Sequence, residues 1–358
     1  MVLVNNLKYK RGNFKMKFKF TIFLSFLAAL TLSITNVSAK NIKVQASSKA
    51  GDWAHKFMTE QYAPRLKAMT GGSLSLTVLP TKAVVPHRET IDAVANGILD
   101  GDLNAISYFA GRDPAFAIIG DLIAGYDTPD QLQSYCMVGG GKEMLQKIYD
   151  SLKVTSGKLK VIGCSPYSRE ALVSKKKITG VAGLKGVKIR SPEGLAAEVF
   201  RLVGAAPSSI PFSEVYTSLE KGIVDAADAS AYVNNTAHGM HKIAKFPIYP
   251  GIHSMANLQF VMNKKLYNSF SKDQQSALET WYVAAYTTMR RLADMEDKEL
   301  VARDKAGGDI TVVDWAQEER DKFRKIAVGA WEAYAKKTPL AREALNSQLN
   351  YMKKMGML

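Results

Sequence analysis

Glu89-Thr-Ile-Asp-Ala-Val-Ala-Asn-Gly97-Ile-Leu-Asp100 and Glu214-Val-Tyr-Thr-Ser-Leu-Glu-Lys-Gly222-Ile-Val-Asp225 are written in one frame, 125 residues apart. Each puts a Glu in the first turn of a predicted helix, a Gly just past the last turn, then two β-forming residues and an Asp. The ends make physical sense. An acid near a helix N-terminus suits the dipole, and Gly takes the left-handed conformation that ends a helix. Two copies of one helix–turn–strand unit predict two similar α/β lobes, with a single sheet and a chance recurrence as the alternative.

The pattern predicts a strand over 41–46, a helix over 52–69 ending at Gly71-Gly72, and a strand over 73–79 that Pro80 stops. A helix over 88–96 and a strand over 98–106 follow, and this βαβα order points to an open α/β sheet. After a helical stretch over 127–152, strands are expected at 158–164, 171–175, 187–190, 223–227 and 256–263, with helices at 193–203 and 213–221. Ser271 to Lys305 runs helical without Pro or Gly, roughly 50 Å at 1.5 Å per residue, long enough to lie across two lobes. Two more helices are expected over 315–336 and 340–355. Two α/β lobes, chain crossings and a long helix describe a hinged clamshell that closes on ligand. The expected division is 40–160 mainly in lobe 1, 161–263 mainly in lobe 2, and 264–358 in the connecting and C-terminal helices.

Residues 1–39 carry six basic residues and no acid, an apolar run over 20–34, and Val37-Ser38-Ala39. This reads as a cleavable secretory signal. The run is shorter than the roughly 20 residues needed to span a bilayer. Met16 offers an internal start with Lys17 and Lys19 as a compact basic segment. No Cys at the cleavage point provides for a lipid anchor. Removing 1–39 takes the net charge from +15 to +9. The remaining lysines are scattered without interleaved aromatics, which argues against nucleic acid and suits an anionic partner or an acidic membrane surface. Export permits a bond between Cys136 and Cys164, but nothing in their spacing calls for one, and two buried free thiols are the expectation.

Signs of enzyme chemistry are few. There is no G-x-S-x-G and no G-x-G-x-x-G, and Gly139-Gly140-Gly141-Lys142 lacks the following Ser or Thr of a phosphate loop, so it reads as a turn. His238 and His241 lie three apart but have no obvious third ligand for zinc.

Gly183-Leu-Lys-Gly-Val-Lys-Ile-Arg190-Ser-Pro, Val203-Gly-Ala-Ala-Pro207, Pro211-Phe-Ser-Glu214-Val-Tyr216 and Gly222-Ile-Val-Asp225 together resemble the core signature of TRAP-transporter solute-binding proteins of the DctP type. Tyr108-Phe-Ala-Gly-Arg-Asp-Pro-Ala-Phe116 and Ile248-Tyr-Pro-Gly251 look like the branch that binds 2-oxo and 2-hydroxy acids. The resemblance implies an α/β periplasmic binding-protein clamshell, delivery of a small organic anion (carboxylate or sulfonate) to TRAP membrane permease subunits, and no catalysis. It also implies that the C-terminal helices can mediate a homodimer. A binding protein for an ATP-driven importer or sensor, or an exported hydrolase, is the alternative.

In that family the arginine of the K-I-R block grips the ligand carboxylate, which falls here on Arg190. The chemistry fits: a planar, permanently charged guanidinium offers paired N–H donors to a carboxylate. Members of the 2-oxo-acid branch often hold a metal through a Gln, an acid-Trp pair and a later Glu. Here Arg169 stands at the Gln position, Asp228-Ala229 at the acid-Trp pair, and Ile252-His253-Ser254-Met255 at the later stretch. No metal or other cofactor is therefore expected. Arg169 is expected as a second positive charge, tilting the ligand toward a dianion or sulfonate. Asp228 is expected to balance the arginines or accept a ligand hydroxyl, with Tyr108, Tyr232, Asn234, His253 and Asn257 as wall residues. Trp53 is read as core.

Overall fold

The computed structural model describes residues 39–252 and 254–358. The segment 1–38, which holds nearly all of the expected leader, and His253 lie outside the described residues. Among the described residues, nine strands form two sheets: β1 (Lys40–Ala46), β2 (Leu74–Leu79), β3 (Gly101–Leu103), β4 (Leu159–Pro166), β5 (Ala171–Ser174), β6 (Lys188–Ser191), β7 (Ala206–Ser209), β8 (Ala226–Ala229) and β9 (Asn257–Asn263). The first sheet has the order β2-β1-β3-β9-β4 and the second β5-β8-β6-β7. The two repeat one another. β3 lies parallel to β1 and antiparallel to β9, as β8 lies parallel to β6 and antiparallel to β5.

The duplicated sequence unit builds the matching strand in each sheet. The Asp100 N–H donates to the Lys43 carbonyl at 2.9 Å while its carboxylate accepts from the Lys43 N–H at 2.8 Å. Asp225 does the same to Lys188, at 2.7 and 3.3 Å. Each Asp thus clips the entry of its strand to the parallel neighbour, after a glycine at φ 75° (Gly97) or 70° (Gly222). The recurrence is structural, and the molecule is a two-lobed α/β clamshell.

Several expected elements are shorter or broken. The strand expected over 98–106 is only β3, because the chain turns into a 3-10 helix at Ile106–Phe109. The helix expected over 52–69 widens to a π-turn at Phe57–Tyr62 just before Pro64, whose ring removes an i→i−4 hydrogen bond. Gly139-Gly140 splits the stretch over 127–152 into Pro129–Val138 and Gly141–Ser151, with Gly140 at φ 96°. The tri-glycine segment is therefore a turn between helices.

The long helix spans Lys272–Ala306 behind a Ser271/Gln274 capping box. Its first half packs Trp281, Tyr282 and Met289 into the core of the first lobe. Farther along, Asp297 accepts the Val233 N–H at 2.6 Å and Asp304 accepts the Tyr232 hydroxyl at 2.7 Å, both from the second lobe. The helices Gln317–Ala335 and Pro339–Lys354 bury Trp331, Tyr334, Leu345 and Tyr351 against the chain's own core. Among the described residues no helix is long and apolar enough to cross a membrane.

The expectation of free thiols is corrected: Cys136 and Cys164 form a disulfide. The helix Pro129–Val138 packs on β4, which brings their Cα atoms to 5.5 Å, within bonding reach. A sequence separation of 28 could not show that proximity. Closing a loop of that length is expected to contribute about 3–4 kcal/mol on the chain-entropy account. A Cys136→Ser/Cys164→Ser double variant should lose that much in urea denaturation, and unchanged stability would contradict the assignment.

Asp102, in the middle of β3, is fully buried. Its Oδ2 accepts from Gln259 Nε2 at 2.6 Å, while Oδ1 has no partner among the described residues. Burial pushes its pKa up to about 7, and the same cause raises Asp121 and Asp297 to about 7. The folded state then keeps protons that the unfolded chain releases near pH 4. Each such group lowers stability by about 1.4 kcal/mol per pH unit as pH rises from about 4 to about 7. The melting temperature should therefore fall over that range, and Asp102→Asn should flatten the fall by about one group's share. A variant with the parent's pH slope would refute the assignment.

Candidate functional site

The carboxyl ends of the parallel strands of both sheets face one another, the place where open α/β sheets bind ligands. Between them lies a cavity of about 80 Å³. It is lined by Ser47 and Asp52 after β1, Ser107 and Tyr108 after β3, Arg190 at the end of β6, Phe212 after β7, and Ser230 and Asn234 after β8. At roughly 10–15 Å³ for each water-sized group, the space takes about five to eight of them. The lobes touch across its mouth. The Phe212 N–H donates to the Tyr108 hydroxyl at 3.2 Å, Lys82 pairs with Glu214 at 2.9 Å, and Arg88 pairs with Glu193. His238 Nε2 lies 3.1 Å from Asp52 Oδ1. The Lys82–Glu214 and Arg88–Glu193 pairs reach solvent and contribute little each, so they set the register of closure more than its strength.

β6 sends Ile189 into the core and Arg190 to the other face, by the two-residue alternation of a strand. Arg190 is only 3 % exposed. Its Nε donates to the Ile210 carbonyl at 2.7 Å, and its Nη1 donates to the Asp228 carbonyl. Nη2 has no partner among the described residues, so the guanidinium is oriented by main chain and keeps donors for an oxyanion.

Beneath the cavity sits a group of buried carboxyls. Ser254 Oγ is 2.7 Å from Asp121 Oδ2 and 3.2 Å from Glu170 Oε2, and Asp228 Oδ2 is buried without a partner among the described residues. Burial pushes Glu170 above the usual carboxylate range, against the pull of the Arg190 guanidinium. Asp228 is pushed up by burial, then by Glu170 and Asp121.

Glu170 belongs to the crossing from β4 to β5, and it runs beside the return crossing before β9. The Glu170 N–H donates to the Ser254 carbonyl at 3.0 Å. The strands approach so closely that a Cβ on Gly251 would fall 1.7 Å from the Glu170 carbonyl oxygen. Only glycine fits there.

The expected site residues divide. Arg190, Tyr108 and Asn234 line the cavity, and Asp228 lies just under it, holding Arg190 through its carbonyl. Arg169 does not join them. It donates to the Asp127 carbonyl and lines a separate groove with Tyr249, Arg290 and Asp294. Extended chain alternates its side chains, so at this crossing Glu170 faces the cavity in its place. The expected second positive charge is therefore replaced by a carboxyl. Tyr232 is tied to Asp304, and the Asn257 amide donates to the Ile119 carbonyl at 2.8 Å, both away from the cavity. His253 lies outside the described residues. Trp53, read as core, is only half-buried: it packs on Phe57 against the edge of the first lobe's core and donates to Glu296 at 3.0 Å. His238 and His241 share no site: His241 sits 3.0 Å from Thr236 Oγ1, and burial lowers its pKa to about 4. Sequence reasoning missed Glu170, Asp52, Ser107 and Phe212. Their shared signal is position, just beyond a strand's carboxyl end or at a crossing.

Residues 45–338 match the family model DctP, "Bacterial extracellular solute-binding protein, family 7". A monocarboxylate 2-oxoacid-binding periplasmic protein of Nostoc sp. is 29% identical over 279 residues, 78% of this chain and 75% of that protein. A TRAP periplasmic solute-binding protein from Rhodobacter sphaeroides, solved in an apo open form, is 38% identical with a TM-score of 0.73, covering 89% of this chain and 99% of that one. Another, from Colwellia psychrerythraea with bound calcium and pyruvate, shares the fold at 24% identity and a TM-score of 0.75, covering 88% and 95%. Here no three His, Cys, Asp or Glu side chains among the described residues are grouped to hold a metal. The positive charge beside Glu170 and Asp228 is that of Arg190. The donor set does not fit such an ion. With the match running through both lobes and the long helix, the chain belongs to the extracellular solute-binding protein family 7, the DctP-type binding proteins of TRAP transporters.

Proposed function

We propose that this chain captures a small organic acid outside the inner membrane, holds it by one carboxylate on Arg190, and hands it to the permease subunits of a TRAP transporter. The carrying observation is a buried guanidinium, fixed by two carbonyls, with donors left over toward a cavity between two lobes. A guanidinium in a closed, water-poor cleft binds a carboxylate through charge-assisted hydrogen bonds far stronger than in water. The basic segment and apolar run before Ala39 support export to the periplasm. With Arg169 turned elsewhere, a single guanidinium favours one carboxylate over a dianion, which reverses the tilt drawn from two arginines. The C-terminal helices use their apolar faces inside the chain, so a homodimer through them would rest on their polar outer faces.

A thermal-shift screen of organic acids, sulfonates, sugars and polyols, with and without chelator, tests the reading. A ligand at 100 times its Kd adds about 2.7 kcal/mol, a shift of several degrees. Stabilisation confined to acids and indifferent to chelator is expected; stabilisation by sugars alone would overturn the proposal. Arg190→Ala, folded by circular dichroism, should lose about 2–5 kcal/mol of acid binding, roughly 30- to several-thousand-fold. Parent-like affinity would remove Arg190 from the site.

A further inference from the structure

The cavity is built for more than a carboxylate. Besides Arg190, its walls carry acceptors. Glu170 is 8 % exposed, and Asn234 Oδ1, on a residue 3 % exposed, has no partner among the described residues. The Asn234 amide is committed to Ser230 Oγ at 3.0 Å, which leaves the carbonyl end as the free one. Asp52 adds another carboxylate at the wall, its Oδ2 accepting from the Lys49 N–H at 2.7 Å and its Oδ1 lying 3.1 Å from His238 Nε2.

The carboxyls under the cavity point the same way. Asp121, Glu170 and Asp228 gather around one guanidinium and one serine hydroxyl. The single Ser254 hydrogen cannot serve both Asp121 and Glu170, and Asp228 Oδ2 and Asn234 Oδ1 have no partner among the described residues. A simple carboxylate on Arg190 brings no donor to these acceptors, and a dianion brings only more acceptors. An ammonium would supply donors to Glu170 and Asn234 Oδ1, and its charge would favour the ionised form of Glu170 that burial disfavours.

We propose that the cavity selects a small zwitterion, with an oxoanion on Arg190 and an ammonium received by Glu170 and the Asn234 carbonyl. This rests on Arg190 as the carboxylate anchor and names the substrate class of that same site. Room for about five to eight water-sized groups sets the scale at a short amino acid or aminosulfonate.

The test is titration calorimetry of the purified protein with matched series on two skeletons: alanine, lactate, pyruvate, propionate and malonate, and leucine beside its 2-hydroxy, 2-oxo and unsubstituted acids. The ammonium member is expected to bind most tightly in at least one series, by roughly 10- to 100-fold over the others, with malonate weakest. Glu170→Gln, which keeps the shape and removes the charge, should erase that preference, bringing the amino acid to within about threefold of its hydroxy and oxo partners. Should the variant fail to fold, the parent's own ranking decides. A hydroxy or oxo acid ranked above its amino partner in both series overturns the zwitterion and leaves the carboxylate reading intact. Equal weakening of every ligand by Glu170→Gln overturns it too. No binding by any acid overturns both.

Discussion

A guanidinium that cannot lose its charge is buried at the end of β6, and much of the cleft follows from having to satisfy it there. Unpaired, such a group would cost several kcal/mol of desolvation. The protein answers with two main-chain carbonyls, Ile210 and Asp228, from beyond β7 and within β8. Carbonyl dipoles orient the fork without neutralising it, so Arg190 remains available to an anion. The same bonds tie the carboxyl ends of three neighbouring strands into one rigid rim.

The two lobes obey one construction rule. In each, a short helix ends at a left-handed glycine, two apolar residues lead on, and an aspartate clips the next strand to its parallel neighbour through both its N–H and its carboxylate. The long helix then engages both copies, packing aromatic side chains against the first and accepting hydrogen bonds from the second. The lobes are similar because the same local chemistry was used twice. They differ where the chain leaves that unit, and the C-terminal helices fill the space so created with tryptophan and tyrosine.

The fold was legible because its signals are local: alternation in strands, glycine at helix ends, a 35-residue helical run without a breaker. β7 escaped because Pro207 within Ala-Pro-Ser-Ser reads as no strand, yet proline is tolerated on an edge. The disulfide escaped because helix-on-sheet packing, which spacing does not encode, decides it. Arg190 was legible in the K-I-R block, but its neighbour was not. Whether residue 169 or 170 faces the cavity turns on one step of alternation at a crossing, and that step exchanges a guanidinium for a carboxyl. The sign of the pocket's second charge was thus the least readable property of the site.

The close approach at Gly251 has a mechanical meaning. Two crossings run side by side there with no room for a methyl group between them. Sliding one past the other would press Gly251 into the Glu170 carbonyl, so this contact opposes shear between the lobes and leaves rotation about it open. Such a rotation would be felt most at the rim, where Lys82 meets Glu214 and Arg88 meets Glu193, and least at Glu170 itself.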